Sequence, residues 1–354
     1  MAEQGRPEAI VRLKVPNGGV SVVIANRNGE EHLRICLPSL RAQLYQPIEI
    51  IVVDNSSSDN SMAVAREFGA ECLQLKENMG LAPALNRGAA ISNGQFLLFV
   101  NNDMRFDECF VSRLVDRLAR DEAIFAVDGM QYNWDGSVRG HLAARLEKGG
   151  ARRGVSVELV PGLNFYQEQE EGIVPVFMAS AASMLIRKSY FEKLRGFDDK
   201  VPMGYEDADI CWRAWVHGWK TVYVPDAICW HRVGSSCRSS EGSLFLFVGV
   251  LRGRLVFATK LLPIRYALLT WITSMAGLAK DISRLQWRFA WSRIRVLADL
   301  GARIPQLLRE RNELYRSGGT TPAKQLDRML QLTSEDPEEI VEAPCHGLAA
   351  KSPQ

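Results

Sequence analysis

Acid and amide side chains recur in short polar turns that directly follow apolar runs. Asn26 and Asn28 follow VSVVIA, Asp54 follows IEIIVV, and Asn101-Asn102-Asp103 follows QFLLFV. Glu206-Asp207-Ala208-Asp209 opens a helical pattern further on. A carboxylate or amide at a strand end suits a nucleotide, because it accepts from base N–H groups. A later acid can hold a divalent cation on a diphosphate, and Asp103 is placed for that. An Asp at a helix start can take a proton as a general base. Taken singly, each group is an ordinary turn or cap, since Asn and Asp favour turns and helix dipoles gather acids in the first turn. His231, in the apolar stretch Cys229-Trp230-His231, taken singly reads as a core or surface histidine. The groups gain weight only together and in order.

Two phosphate cradles are missing from the sequence. No GxGxxG follows the first apolar run, which counts against a dinucleotide site. No GxxxxGK(S/T) occurs, which counts against a P-loop. Without either, the charge of a diphosphate needs a divalent cation.

These residues need a scaffold that sets strand ends side by side. Val20–Ala25, Ile48–Val53 and Gln95–Val100 are continuous apolar runs, the pattern of parallel strands covered on both faces. Helical patterns from about Glu30 to Leu44, up to about Phe68, and from Leu81 to about Ser92 separate them, with a short strand near Cys72–Leu75. The alternation predicts βαβ units: an α/β fold with a Rossmann-like, mainly parallel central sheet flanked by helices. Ligands of such a sheet bind beyond the carboxyl ends of the strands, where Asn26, Asp54 and Asn101–Asp103 stand. After Arg120 the pattern changes. Val127–Gly140 reads as a hairpin turning at Asp135-Gly136. Residues 141–174, rich in Gly and charge, read as a long loop able to cover a site. Pro175–Arg187 reads as a strand. Asp207 to about His217 reads as a helix stopped by Gly218. Thr221–Val224 reads as a strand before Cys229-Trp230-His231.

The chain has 354 residues, 47% hydrophobic and 24% charged, which excludes wholesale disorder and suggests two domains or one with an appendage. Its net charge of +2 gives no reason to expect a nucleic-acid partner. That charge is uneven. From Arg252 to Arg316, thirteen Lys and Arg stand against four Asp and Glu, so the remainder is acidic on balance. Seven Cys form no CxxC pair, and the N-terminus lacks a leader pattern, which together point to the reducing cytosol. The chain divides into a flexible tail (1–19), a catalytic body (20–240), a basic helical section (241–316) and a disordered tail (317–354).

Six segments in order are VSVVIANRN, VVDNSSSDNS, NMGLAPALNRG, FLLFVNNDM, GYEDADICWRAWVHGW and CWHRVGSS. They resemble the inverting GT-A glycosyltransferases of family 2, closest to the bacterial rhamnosyltransferase-like and galactofuranosyltransferase-like branch. The resemblance covers about residues 20–236, and the ordered set is specific where each motif alone is weak. It implies transfer of a hexosyl or deoxyhexosyl group, with inversion, from a nucleotide-diphospho-sugar to a glycan or lipid-linked glycan of the cell envelope. It implies that Asp54 contacts the base and Asn26 lines its pocket, with Asn28, Gly80, Asn101 and Asn102 also on the donor. Asn101-Asn102-Asp103 matches the DxD-type motif, so Asp103 holds Mn²⁺ or Mg²⁺ and His231 completes the metal site. Asp207 matches the catalytic base, and Glu206 and Asp209 position it or the acceptor. Three departures stand out: Asn101 for the first Asp of the motif, Leu85 where many relatives carry Arg, and Ala25 for a Pro. Two other classes compete. A nucleotidyltransferase would want a Gly-rich basic loop, of which Asn26-Arg27-Asn28-Gly29 is a poor version. A catalytically silent sugar-nucleotide-binding protein would have no need of Asp103, Asp207 and His231 together.

The basic section holds two charge-free runs, Gly242–Leu251 and Tyr266–Ala279, each shorter than the ~20 residues of a spanning helix. Drawn as one helix, residues 281–300 put Ile282, Leu285, Phe289, Val296 and Leu300 on one face. Arg284, Arg288 and Arg295 lie opposite, with Trp287 and Trp291 beside them and Arg293 out of place on the apolar side. That pattern suits peripheral contact with the cytoplasmic face of the cell membrane. A helix packed on the body with solvated arginines is the competing reading.

Overall fold

The first apolar runs are strands because each is covered on both faces. A computed structural model describes residues 19–137, 143–148, 155–160, 174–201, 203–232 and 240–331. Strands β1 (Val20–Asn26), β2 (Ile48–Asp54), β3 (Glu71–Gln74) and β4 (Phe96–Asn101) lie parallel in the order β3-β2-β1-β4. Alternate side chains take opposite faces, so Val22 and Ile24 enter one apolar layer and Val23 the other. Helices α1 (Glu30–Arg41), α2 (Ser61–Glu67) and α4 (Phe110–Arg120) close the first layer, and α3 (Leu81–Ile91) joins the second.

Past β4 the sheet becomes mixed. Its remaining strands are β5 (Met104–Phe106), β6 (Ile124–Asn133), β9 (Val174–Pro175), β10 (Leu185–Arg187) and β11 (Lys220–His231). Strand β10 runs antiparallel between β4 and β6, β6 pairs parallel with β11, and β5 and β9 pair antiparallel with β11. Three expectations are corrected. Pro175–Arg187 is not one strand: only its ends pair, and the middle folds onto Asp128, whose carboxylate accepts from Ser180 N–H (2.7 Å) and Ser183 Oγ (2.6 Å). Within 141–174, which reads as a long loop able to cover a site, β7 (Ala143–Lys148) and β8 (Val155–Val160) pair antiparallel, and the rest lies outside the described residues apart from Val174. Val127–Asn133 belongs to the longer β6. The turn after it closes with Asn133 N–H donating to Ser137 O at 2.8 Å, around Gly136 at φ 84°. Residues 138–140 lie outside the described residues.

Helices α5 (Lys188–Lys193) and α6 (Glu206–Val216) complete the body, and α6 stops before Gly218 at φ 82°, as its sequence predicts. Then come α7 (Ser240–Leu261), α8 (Ile264–Ser283), α9 (Trp287–Ser317) and α10 (Pro322–Gln331). A single helix over 281–300 does not form. Leu285 takes φ 55° between α8 and α9, so a wheel drawn across it mixes two helices. Arg293 is then no misfit: its Nε meets Asp281 Oδ2 at 2.9 Å, joining α9 to α8. Helix α10 occupies part of the stretch expected to be a disordered tail, with Leu326 and Met329 buried. Residues 332–354 lie outside the described residues. Tyr315 of α9 receives a hydrogen bond from Trp212 Nε1 of α6 at 2.8 Å, which fastens the helical section to the body. No helix among the described residues is long and apolar enough to cross a membrane.

Candidate active site

Parallel register sets the strand-end residues next to one another. Asn26 pairs with Asp54 across β1 and β2, and Ala25 pairs with Asn101 across β1 and β4. Asn26 and Asp54 are buried. Asn102 Nδ2 donates to Asn26 Oδ1 at 2.7 Å, so the first and fourth strand ends are tied by an amide pair. Gly29 passes directly beneath that pair, where any Cβ would collide with both amides. Asn28, at φ 50°, receives Ser58 N–H on its Oδ1 at 2.7 Å and gives its own N–H to Ser57 Oγ at 2.8 Å. Asp54 Oδ2 accepts from Ser57 N–H at 3.2 Å, while its buried Oδ1 has no partner. A buried carboxylate oxygen left open is costly and suits an incoming N–H donor. Gly80, at φ 93°, leads into α3, and its carbonyl accepts from Asn55 Nδ2 at 3.0 Å.

The second group forms where β5 pairs with β11. Met104 opposes His231 in that register, which brings the neighbouring Asp103 against the histidine. Asp103 Oδ1 lies 3.1 Å from His231 Nε2, and Asn101 Nδ2 lies 3.5 Å from the same nitrogen. Both partners of the 3.1 Å pair are nearly enclosed.

The third group opens α6. Ala208 N–H donates to Asp207 Oδ1 at 2.8 Å, and Ala181 N–H also hydrogen-bonds this carboxylate. The adjoining Ala182 carbonyl accepts from Asn101 N–H at 3.2 Å. The irregular stretch after β9 therefore sets Asp207 beside the end of β4. The Asp207 carboxyl is pushed up to about 7, first by its removal from water and then by the neighbouring Glu206 carboxyl. Burial also raises Glu206, whose Oε2 accepts from Tyr205 N–H at 3.0 Å. Asp209 is placed differently. It is fully buried and paired with Arg213 Nε (2.6 Å) and with Lys260 Nζ of α7 (3.3 Å). Its oxygens are engaged within the body, so it anchors α6.

Residues 21–195 match the family described as Glycosyl transferase family 2. The chain carries a glycosyltransferase family 2 domain. An N-acetylglucosaminyl-diphospho-decaprenol L-rhamnosyltransferase of Mycobacterium tuberculosis is 27% identical over 245 residues, covering 63% of this chain and 79% of that protein. The glycosyltransferase GlyA of Streptococcus pneumoniae is 27% identical over 221 residues, 60% of this chain but only 30% of its own length. Among solved structures, a mannosyltransferase from Pyrobaculum calidifontis, in complex with GDP-Man and Mn2+, superposes with a TM-score of 0.50 at 14% identity, covering 93% of this chain and 92% of its own. GalNAc-T7 with UDP, GalNAc and Mn2+ gives 0.51 at 18% identity over 68% of this chain and 51% of that one. The fold is thus GT-A, an α/β sheet flanked by helices, and the protein is a glycosyltransferase.

One sheet brings together Asn26, Asp54, Asn101, Asn102, Asp103 and His231, and Asp207 joins them through Ala181 and Ala182. Three contributors escape motif reading. Ser57 fastens Asn28 and Asp54, and its only sequence signal is the Ser-rich turn itself. Lys260 bridges Asp209 to Asp198 from far downstream, at 3.3 and 2.5 Å, and nothing in its apolar surroundings signals that role. Arg105 lies over Trp230 at 4.2 Å and near Trp134 at 5.5 Å, stiffening the strand pair that carries Asp103 and His231.

No cluster of three or more His, Cys, Asp or Glu capable of holding a metal occurs among the described residues. The residues nevertheless fit a cation that takes most of its ligands from a substrate. One hard carboxylate and one imidazole converge at 3.1 Å, and Mg²⁺-type ions keep few protein ligands when phosphates supply the rest.

Proposed function

We propose that this glycosyltransferase transfers a sugar, with inversion, from a nucleotide-diphospho-sugar to a glycan or lipid-linked glycan hydroxyl. We further propose that it works in peripheral contact with the cytoplasmic face of the membrane. The observation that carries the chemistry is the carboxyl of Asp207, held near neutrality beside the strand end that bears Asn101–Asp103. An exposed Asp, with a pKa near ~4, is a weak base at neutral pH; one raised toward 7 is matched to take a proton there.

In the proposed reaction the acceptor hydroxyl oxygen attacks the anomeric carbon. Its proton passes to Asp207, and the bond from that carbon to the diphosphate oxygen breaks on the opposite side, so the configuration inverts. Glu206 supports the step by keeping Asp207 basic. Asp54 Oδ1 accepts a base N–H, and the Asn26–Asn102 amide pair fixes the strand ends around the nucleotide. Asp103 and His231 would hold Mn²⁺ or Mg²⁺, which when bound neutralises charge on the leaving diphosphate. The relative named for L-rhamnosyl transfer to a lipid-linked N-acetylglucosamine supports a deoxyhexosyl donor and a polyprenyl-linked acceptor.

The test is a panel of nucleotide-sugars incubated with the purified protein and candidate acceptors. Sugar transfer with inverted anomeric configuration is expected. Retention of configuration, or release of pyrophosphate in place of a nucleoside diphosphate, would overturn the reading.

A further inference from the structure

Helix α8 presents an apolar stripe to solvent. Ile264, Leu268, Ile272, Met275 and Ile282 recur at spacings that share one helix face, and all are exposed, Ile272 at 62%. The opposite face is buried through Tyr266, Ala267, Thr270 and Ser274. At the C-terminal end of α8 the stripe runs into the turn, where Leu285 is 71% exposed at φ 55°. It resumes on α9 with Trp287, Trp291 and Ile294, spaced four and three apart and again exposed. Single exposed apolar side chains are ordinary, but a run continuous around a helix hairpin marks a contact surface.

The charge around the stripe decides what it contacts. From Ile264 to Ala298 the sole acid is Asp281, and it is buried and paired with Arg293. Arg265, Lys280, Arg284, Arg288 and Arg295 are exposed. A second copy of this chain laid on the same face would bring like charges together. An anionic bilayer would neutralise them while taking up the apolar side chains, with tryptophans at the headgroup level.

We propose that the α8–α9 hairpin is a membrane-docking surface: the stripe from Ile264 to Ile282, with Leu285, Trp287 and Trp291, lies in the interface of an anionic bilayer beneath a rim of Arg and Lys. This deepens the proposed membrane contact and places it on α8 and the turn. Docking is coupled to the body. Lys260, four residues before α8, holds Asp209 on the helix that carries Asp207, so the proposed base keeps a fixed relation to the membrane. A lipid-linked acceptor would then be met at constant height.

The experiment is co-sedimentation of the full chain with phosphatidylglycerol-containing and pure phosphatidylcholine vesicles, at low and high salt. Wild-type protein is expected to bind anionic vesicles at least tenfold better than neutral ones, with binding weakened by salt. The double variant Leu268→Glu/Ile272→Glu is expected to lose binding. The triple variant Arg284→Gln/Arg288→Gln/Arg295→Gln is expected to lose the anionic preference. Melting curves check that the variants fold, the expected outcome because all five positions are exposed. Transfer to a soluble acceptor, read separately, should be unchanged, so failure of docking is distinguishable from failure of the catalytic reading. No binding to anionic vesicles at low salt would overturn the proposal, as would binding that survives the double variant. A solution dimer that the double variant splits would assign the face to a second copy instead.

Discussion

Asp103 Oδ1 and His231 Nε2 stand 3.1 Å apart although they lie far from one another in the sequence. The antiparallel pairing of β5 with β11 makes the contact, and Asn101 lies beside it. Asp103→Ala and His231→Ala are each expected to raise the metal concentration for half-maximal activity by more than about tenfold, since even outer partners of metal ligands are worth that much. Asn101→Asp should lower it, by adding a second carboxylate. Titration of Mn²⁺ against transfer rate reads all three, and undiminished activity of wild type in a chelator would remove the metal from the proposal.

The proposed nucleotide pocket depends on two details. Asp54→Asn replaces the open carboxylate oxygen with a neutral amide. Donor affinity should fall about 10- to 100-fold, the worth of a hydrogen bond to a charged group. Gly29→Ala should also weaken donor binding, because its Cβ would part Asn26 from Asn102. Calorimetric titration with nucleoside diphosphate checks both, and unchanged affinity in Asp54→Asn would place the base elsewhere.

Lys260 offers a stability test. It serves the buried Asp209 and Asp198, whose side chain is nearly enclosed, and with Lys200 it holds Asp198 well below the usual carboxylate range against the desolvation that would raise it. Lys260→Met should cost roughly 2–3 kcal/mol in denaturant unfolding. Arg213 and Lys200 remain to share the two acids, which keeps the loss below that of a fully stripped buried charge.

Much of this was legible before any coordinates. The apolar runs of β1, β2 and β4 announced themselves because strands covered on both faces leave no polar alternation, and their polar ends marked the residues that the sheet sets side by side. What stayed hidden was tertiary. Nothing local says that 176–184 abandons the sheet to wrap Asp128, yet that detour delivers the Ala181 N–H to Asp207. The α8–α9 break hides in Arg284-Leu285-Gln286, which carries no Gly or Pro, and Arg293 looked misplaced only because its partner Asp281 lies on the other helix. Asp209 shares a motif with Asp207, but two and not three or four residues apart on a helix means different faces, and Lys260 claims the second one.

The pH dependence follows from Glu206. Asp207 acts as a base only when ionised, so turnover should climb with pH and level off above about 7. Glu206→Gln removes the neighbouring negative charge, which lets Asp207 ionise more easily, and the acid limb should move to lower pH. A pH–rate profile of the two proteins reads this shift. The raised carboxyl also means that the folded state binds more protons than the unfolded chain between the ordinary Asp range and about 7. Stability should therefore decline as pH rises through that window, and Asp207→Asn should flatten the decline.

The most direct measurement is transfer by Asp207→Asn under conditions where donor binding is independently confirmed. The amide keeps the size of the side chain but cannot take the acceptor's proton. The variant should fold, bind nucleotide-sugar with near wild-type affinity, and lose about 10²–10⁴ in turnover, the usual worth of a positioned base. Turnover within a few-fold of wild type, with binding intact, would contradict the assignment of Asp207 as the base.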